Sequence, residues 1–228
     1  MQANLFTEYI PTPEHAEMMI YPRVLALAEV AWSAPSKKNY EDFHVRALKA
    51  VEELKKSGYN PFELKNEIGN RPGADKPVEH LAVGKKVTYG LDAAYYPGYA
   101  AGGDTALVDG VRGGWTYGDK RWQGFIDKKR MDITIDLEKE TELHFIGADF
   151  MQVCGPEVFM PAEVIISISD DGKDFTELKH IEHKVVKDDK VTFTNFGWEG
   201  NAKGRYVRYQ ATSGEFGGFL FTDEVVIK

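Results

Sequence analysis

The hexapeptide DITIDL, residues 132–137, decides the fold class predicted for the larger part of this chain. Its apolar residues Ile133, Ile135 and Leu137 alternate with polar ones, which is the period of a strand with one face against a core. The same alternation recurs over residues 164–168, and turn signals separate such segments. Short strands divided in this way predict an all-β region, a sandwich of the jelly-roll kind. The turn signals are Asp171-Gly172, Gly197, Gly204 and Gly217-Gly218.

The residues before this region follow a helical period instead. Over residues 39–57 the apolar side chains recur at spacings of three and four, with Asn39 as a cap and Gly58 as a C-terminal stop. An earlier, largely apolar helix is predicted over residues 14–34, with a kink or a break at Pro22.

The two ends of this helical part have other patterns. Residues 2–10 predict a short buried strand that ends in a carboxylate. Residues 69–83 contain prolines, glycines and mixed charges without any period, which predicts a linker. We therefore expect an N-terminal part over residues 1–68, the linker, and an all-β domain over residues 84–228.

Composition narrows the classes of function. The 228 residues carry 43% hydrophobic and 28% charged side chains, as ordinary globular proteins do. The net charge of −8 argues against nucleic acid as a partner, since binding to a phosphate backbone requires clustered positive charge. No apolar run is long enough to span a bilayer, and the first residues lack a signal-peptide pattern. The single cysteine, Cys154, excludes an internal disulfide and a cysteine-built zinc cluster.

Two motifs near the start have a family counterpart. The segments LFTEYI (residues 5–10) and HAEMMIYPRVLALAEVAWS (residues 15–33) resemble the last barrel strand and the next helix of family 20 glycoside hydrolases, the β-N-acetylhexosaminidases or chitobiases. The resemblance covers roughly residues 1–68 and implies an α-helical remnant of a (β/α)8 barrel. A complete barrel takes about 250 residues, so most of it is expected to be missing.

The resemblance also implies that the catalytic groups lie elsewhere. In this family an Asp-Glu pair on an earlier strand acts together with the acetamido group of the substrate. No such pair stands in a matching context, and GGDT at residues 102–105 has a threonine in place of the acid. The parent enzyme is a glycosidase, whereas this chain alone is expected to be inactive.

A sugar-contacting end of the barrel is implied by the same resemblance. Glu8 would hydrogen-bond hydroxyl groups of a terminal N-acetylhexosamine, and Phe6 occupies a tryptophan position that lines the pocket. The alternative is Phe6 in the core and Glu8 as a charge flanking the helix. Arg23 and Glu29 fall on a helix outside the barrel, and we interpret them as members of structural ion pairs.

Six motifs recur in order through the all-β part. They are ALVDG (106–110), WQGF (122–125), DITIDL (132–137), SDDGKDF (169–175), RYVRYQA (205–211) and FLFTDEVVI (219–227). In this order they resemble the galactose-binding-like jelly-roll β-sandwich of the discoidin or coagulation factor 5/8 C-terminal kind, close to family 32 carbohydrate-binding modules. The resemblance implies glycans ending in N-acetylhexosamine or galactose as partners.

A structural calcium ion is a further implication of this second resemblance. Many such modules hold calcium between an Asp-Gly loop and a Glu near the last strand, which maps the carboxylates onto Asp109 and Glu224. Backbone carbonyls of the loop and of Asp223 would complete an oxygen-only set that suits calcium. Gly114 stands where the family has a threonine. The alternative is a solvated Asp109 and a Glu224 paired with a nearby Lys or Arg.

Sugar recognition requires an aromatic face and a few fixed polar groups. The predicted glycan-binding residues lie in segments rich in aromatic, glycine and charged residues, whereas Trp122 and Phe125 are predicted to lie in the core. The predicted contacts are Arg112, Trp115, Tyr117 and Trp198.

Taken together, the two resemblances predict the C-terminal portion of a β-N-acetylhexosaminidase with a carbohydrate-binding module. Two alternatives remain open: a non-catalytic glycan-binding accessory protein, and a sandwich that only stabilises the barrel. The missing barrel portion is an expected partner, and the parent enzyme is expected in the periplasm, on the cell surface or secreted.

Overall fold

The computed structural model describes residues 2–8, 10–65, 71, 73–74, 76–90, 94–126, 131–188 and 191–228. The chain divides into two compact units, a helical unit over residues 1–75 and a sandwich unit over residues 76–228. The helices of the first unit are α1 Pro13–Ile20, α2 Arg23–Trp32 and α3 Tyr40–Lys56. The strands of the second are β1 Lys86–Tyr89, β2 Gln123–Ile126, β3 Met131–Gln152, β4 Pro161–Ser169, β5 Thr176–Glu182, β6 Thr192–Ser213 and β7 Phe219–Ile227.

The helices follow from their sequence signals. The side chain of Asn39 accepts a hydrogen bond from the N–H of Asp42 at 3.1 Å, and Gly58 follows α3 with a φ of +87°. The apolar run over residues 14–34 is divided between α1 and α2, because Pro22 lacks an N–H and interrupts the helix. The predicted cap and the predicted break are both confirmed. In the described part of the chain, no helix is long and apolar enough to cross a membrane.

The first segment differs from its prediction. Residues 2–8 and Ile10, the ones described there, belong to no strand, and residues 2–8 are exposed. A strand needs a neighbour to pair with its N–H and C=O groups. No strand is found among the described residues of the helical unit. The prediction of a buried strand was therefore wrong for this segment, apart from Tyr9, which lies outside the described residues.

The seven strands form one continuous antiparallel sheet that is folded into two layers. Its order is β2-β7-β3-β6-β4-β5, with β1 beside β3. β3 and β6 have 22 residues each and pair with each other along most of their length, and the last part of β6, from Tyr206 to Ser213, also pairs with β4. The first part of β3 pairs with β1 and its second part with β7. Between the two parts, from Asp136 to Thr141, the register shifts and the chain passes from one layer to the other. This architecture confirms the predicted sandwich.

The core lies between the two layers. Ile133 and Ile135 are fully buried, so the alternation of DITIDL is confirmed. Phe150 stacks on Tyr209 of the opposite layer, with ring centroids 6.4 Å apart. The hydroxyl group of Tyr209 donates a hydrogen bond to the carbonyl of Phe196 at 2.8 Å, which satisfies the buried phenol.

The predicted linker, residues 69–83, is in part a packed segment. The boundary between the units falls within it, after residue 75. Residues 78–84, which we call the strap, contact the sandwich through backbone hydrogen bonds, and Ala82 is fully buried. Such bonds leave no side-chain period in the sequence. The N–H groups donate from Val78 to Gly110 (2.8 Å), from Leu81 to Ile227 (2.8 Å) and from Gly84 to Val108 (2.7 Å).

Gly197 lies inside β6 and not at a turn, contrary to its prediction, and Gly204 likewise lies within that strand. Gly197 pairs with Gly147 of β3. A Cβ atom at position 197 would lie 3.0 Å from the carbonyl oxygen of Ile146 and 3.3 Å from the Cα of Gly147. A glycine is needed here because the backbones of two strands approach closely, which is a common reason for glycine within a strand.

Gly197→Ala should therefore destabilise the sandwich unit by about 1–3 kcal/mol, because the added methyl group overpacks this contact. Gly118→Ala is the matched control, since its Cβ would meet its nearest neighbour, the Oγ1 of Thr116, at an ordinary 3.6 Å. Urea denaturation measures both variants. Equal midpoints for the two would contradict the close approach.

Candidate functional site

A layer of loops covers the outer face of β7 and carries three of the predicted glycan contacts, Arg112, Trp115 and Tyr117. Leu220 and Phe221 are adjacent on β7 and belong to different hydrophobic clusters, so the strand has apolar neighbours on both faces. On the outer face Tyr117 stacks on Phe221, with ring centroids 4.8 Å apart. Trp122 is fully buried there, and its Nε1 donates a hydrogen bond to the carbonyl of Gly114 at 3.1 Å. Trp122 is thus a core residue, as predicted.

The predicted metal ligands, Asp109 and Glu224, lie close together under this layer. Glu224 is on β7 and fully buried, and Asp109 follows the short helical turn of residues 106–108. The Oε1 atom of Glu224 accepts a hydrogen bond from the N–H of Gly110 at 3.0 Å. The Oδ1 atom of Asp109 accepts one from the N–H of Val111 at 2.8 Å. These bonds hold the loop against β7, so that the two carboxyl groups act on each other electrostatically.

His80 joins this pair, although the sequence did not predict it. Its side chain is fully buried, and its Nε2 lies 2.7 Å from the Oε1 of Glu224. The N–H groups of Ala82 and Ile227 point at its Nδ1 from 3.3 and 3.4 Å. Nδ1 therefore accepts, and Nε2 carries the proton that is donated to Glu224. The sequence offered no signal, because His80 lies in an aperiodic segment 144 residues away from Glu224.

Burial shifts the pKa values of all three groups. Burial raises the pKa of Glu224 to about 8, and the charge of Asp109 acts in the same direction, against the N–H of Gly110. Burial also raises the pKa of Asp109. It lowers the pKa of His80 to about 4, so the imidazole is neutral at pH 7. Two carboxyl groups held together in a low-dielectric site resist ionisation, and a bound cation would relieve that cost.

The arrangement fits a hard cation. The Oε2 atom of Glu224 is buried and receives no hydrogen bond from an N–H group, and the Glu224 and Asp109 carboxyl groups share a side-chain hydrogen bond. Carboxylate oxygens are the ligands that calcium prefers. The described ranges hold no group of three or more His, Cys, Asp or Glu side chains that could bind a metal. Further ligands would therefore be backbone carbonyls or water, as the sequence predicted for the carbonyls.

Arg112, a predicted glycan contact, is engaged with carboxylates of the sheet. Its Nη1 lies 2.5 Å from the Oδ2 of Asp149 and 3.7 Å from the Oδ1 of Asp223. The Arg112 side chain is 14% exposed, and that of Asp223 is fully buried. The carboxylate of Asp223 also accepts a hydrogen bond from the N–H of Gly113 at 3.0 Å. Arg112 thus neutralises charge within the sheet, and its contact with a glycan stays a prediction.

The predicted aromatic contacts are distributed over different parts of the sandwich unit. Trp115 is half-buried and meets Phe193 edge-on, with ring centroids 5.6 Å apart. Trp198 is half-buried on β6 and packs against the core between the layers. Tyr117 is held by its stacking on the outer face of β7. Tyr96, in the same loop layer, is 44% exposed. Binding of sugar by Trp115, Tyr117 and Trp198 stays a prediction.

Phe6 and Glu8, the implied barrel contacts, are both exposed, Phe6 to 81%. The alternative of Phe6 in a core is therefore not supported within this chain. Glu29 forms the predicted ion pair, since two nitrogens of Arg46 donate to its carboxylate at 2.8 and 3.0 Å and lower its pKa. Arg23 differs from its prediction, because it donates to the backbone carbonyls of Met18 and Met19 at the end of α1, where unpaired carbonyls attract a cation.

Two family profiles match the chain. The profile described as F5/8 type C domain matches residues 92–225. The profile described as the catalytic domain of glycosyl hydrolase family 20 matches residues 1–35. The first match lies in the sandwich unit and the second in the helical unit. Both resemblances predicted from the motifs are thereby confirmed.

Individual proteins match over shorter stretches or at low identity. A beta-hexosaminidase of Porphyromonas gingivalis (strain ATCC BAA-308 / W83) is 42% identical over 59 residues, which are 26% of this chain. The chain spans only 8% of the length of that curated relative. A CBM32 module of Clostridium perfringens in complex with GalNAc-β-1,3-galactose is 17% identical, with a TM-score of 0.42 over 62% of this chain and 93% of its own. A fucolectin from striped bass (Morone saxatilis) serum is 18% identical, with a TM-score of 0.48 over 67% of this chain and 49% of its own.

Proposed function

The chain belongs to the F5/8 type C domain family, and from this premise we propose that it is the C-terminal portion of a β-N-acetylhexosaminidase. The sandwich unit would be its carbohydrate-binding module. The observation that carries the proposal is the presence, in one chain, of a family 20 match over residues 1–35 and an F5/8 type C match over residues 92–225. The parent enzyme would remove terminal N-acetylhexosamine from glycans in the periplasm, at the cell surface or outside the cell.

The helical unit would complete the catalytic domain. Phe6 is 81% exposed and Trp32 is 91% exposed, which is unusual for large apolar side chains. α2 contains no buried residue, although its sequence RVLALAEVAW is largely apolar. Such faces are typical of a piece that packs against further protein, here the remaining barrel. Within that barrel Glu8 and Phe6 would contact the sugar, while the catalytic Asp-Glu pair would lie outside this chain.

The sandwich unit would attach the enzyme to its substrate. Trp115 and Trp198 are half-buried, so each keeps part of its surface accessible, and their rings would stack on the apolar face of a pyranose. Tyr117 would supply a polar group for hydroxyls. Glycans ending in N-acetylhexosamine or galactose are the proposed ligands, because the first are the substrates of a hexosaminidase and the second remain where N-acetylhexosamine is removed from galactose.

A structural calcium ion at Asp109 and Glu224 is part of this proposal. It is supported by the close approach of the two buried carboxyl groups, by the Oε2 atom of Glu224 that no N–H group contacts, and by the raised pKa values of both carboxyl groups. Calcium would neutralise the buried pair and fasten the loop of residues 106–111 to β7. It would have a structural and not a catalytic role.

A glycan array probed with the full chain, with and without calcium, tests the proposed ligand class. We expect selective binding to glycans ending in N-acetylhexosamine or galactose. Trp115→Ala or Trp198→Ala should weaken binding by about fivefold to tenfold, since an aromatic stacking contact is worth about 1–1.5 kcal/mol. Trp32→Ala is the matched control, because Trp32 lies in the other unit. Absence of binding under both conditions would contradict the module and favour a sandwich that only stabilises the barrel.

An assay with a chromogenic N-acetylglucosaminide tests the other half of the proposal. The purified chain should release no detectable chromophore, because it carries no catalytic Asp-Glu pair in a family context. Measurable hydrolysis by the purified chain would mean that catalytic groups reside within its 228 residues. It would therefore contradict the assignment of catalysis to the missing barrel portion.

A further inference from the structure

The strap contacts both of the elements that carry the buried carboxyl pair. On one side Val78 and Gly84 donate to the carbonyls of Gly110 and Val108, which flank Asp109 in the chain. Gly110 has a φ of +80°, and a Cβ there would lie 3.1 Å from the carbonyl oxygen of Val78. On the other side Leu81 donates to the carbonyl at the end of β7, the strand that carries Glu224. The strap therefore joins the Asp109 loop to the Glu224 strand.

His80 extends from the strap directly to Glu224. Its Nδ1 is held by backbone N–H groups of Ala82 and Ile227, which fixes the orientation of the ring. Its Nε2 then meets the Oε1 of Glu224, an oxygen that also accepts from Gly110. With Oε1 fixed in this way, the Oε2 atom receives no hydrogen bond from an N–H group, and the Glu224 carboxyl group shares a side-chain hydrogen bond with that of Asp109. The strap thus determines how Glu224 presents its carboxyl group to Asp109.

We propose that the strap and a calcium ion at Asp109 and Glu224 stabilise each other, with His80 as the positioning residue that links them. The proposal rests on the calcium site of the proposed function and adds that calcium binding stabilises the docked strap. A ligand that binds better when the strap is docked must, by reciprocity, make the docked strap more stable. The strap is the first packed segment after the unit boundary at residue 75, so calcium would fasten the entry of the chain into the sandwich unit.

Amide hydrogen exchange of the full chain, with calcium or with EDTA, tests this coupling. The amides of Val78, Leu81 and Gly84, each hydrogen-bonded to the sandwich, should exchange at least tenfold more slowly with calcium present. Asp109→Asn is the matched control, since it removes one ligand charge and leaves the strap intact. In that variant calcium should not change the exchange of the three amides.

The reciprocal measurement is the calcium affinity of variants in the strap. His80→Ala should weaken calcium binding by about tenfold or more, as loss of a group that orients a metal ligand typically does. His80→Gln keeps a donor near the position of Nε2 and should restore most of the affinity. Glu79→Gln changes the adjacent, exposed residue and should leave the affinity unchanged. If His80 had only a structural role, His80→Ala would lower the stability of the sandwich unit, and the calcium affinity would not fall in His80→Ala and recover in His80→Gln.

The outcomes separate the two proposals. If isothermal titration detects no calcium binding to the unsubstituted chain, both the calcium site and the coupling are overturned. If calcium binds while the exchange of the strap amides is unchanged, or while His80→Ala binds calcium normally, only the coupling is overturned. Should His80→Ala fail to fold, the exchange experiment on the unsubstituted chain and the His80→Gln affinity still decide the matter.

Discussion

Replacing Trp122 with alanine should destabilise the sandwich unit by about 3–5 kcal/mol, among the largest effects expected for any single substitution in this chain. Trp122 is fully buried and stacks on Phe193, with ring centroids 5.7 Å apart. It also donates a hydrogen bond from Nε1 to the carbonyl of Gly114. Alanine would leave a cavity in the second hydrophobic cluster and a buried carbonyl with one partner fewer.

Two further variants make this prediction sharper. Trp122→Phe keeps most of the apolar volume and should cost less than the alanine variant, because it loses mainly the hydrogen bond. Gly113→Ala should be destabilising for the opposite reason, since a Cβ at position 113 would overlap the indole of Trp122. In the double variant the cavity admits the new methyl group, so the two losses should not add.

Urea denaturation followed by circular dichroism measures all of these variants. The slope of the transition should stay the same, because the substitutions alter stability and not the size of the folded unit. A loss below about 1 kcal/mol for Trp122→Ala would contradict its placement in a packed cluster. Full additivity in the double variant would contradict the contact between positions 113 and 122.

The features that could be predicted from the sequence are those that depend on one segment at a time. The alternation in DITIDL correctly predicts that Ile133 and Ile135 lie in the core. Side chains of a strand point to one face at every second residue, whichever segments of the chain pair with it. The cap at Asn39 is equally local. Asp109 and Glu224 were paired through a family resemblance, and the structure brings them together. No periodicity could have supplied that pairing.

The features that could not be predicted depend on segments that are distant in the chain. His80 and the strap are positioned by hydrogen bonds to residues of β7. Their own sequence has no hydrophobic period that would indicate these contacts. A glycine such as Gly197 is equally typical of a turn and of a close contact between two strands. Only the pairing of Gly197 with Gly147 in the sheet shows that the second situation applies. Residues 2–10 have a strand pattern in the sequence, but the described part of the helical unit offers no neighbouring strand with which residues 2–8 could pair.

Arg112→Ala should destabilise the sandwich unit by about 3 kcal/mol or more, because it removes one partner of a largely buried ion pair. The guanidinium lies 2.5 Å from the carboxylate of Asp149, and the two side chains are 14% and 18% exposed. It also lies 3.7 Å from Asp223, which the sheet buries completely. Without Arg112 these carboxylates would keep their charge in a low-dielectric region and lose a nearby positive charge.

A double-mutant cycle separates the ion pair from other effects of the substitution. Asp149→Asn removes one negative charge, so the double variant with Arg112→Ala should be more stable than the sum of the two losses predicts. Arg112→Lys keeps the charge without the planar fork and should lose less stability than Arg112→Ala. Equal stabilities of Arg112→Ala and the unsubstituted chain would contradict the structural role of the pair.

The same variant decides between the two roles that Arg112 has been given. A structural role predicts that Arg112→Ala lowers stability while its folded fraction, measured well below the unfolding transition, still binds the glycan. A role in sugar recognition predicts that Arg112→Ala loses glycan binding and keeps its stability. An exposed guanidinium that contacts only a sugar hydroxyl contributes little to the free energy of folding. At 14% exposure the guanidinium has little surface left for a ligand, so we expect the first result. The aromatic side chains of the loop layer, and not this cation, should then determine the affinity for glycan.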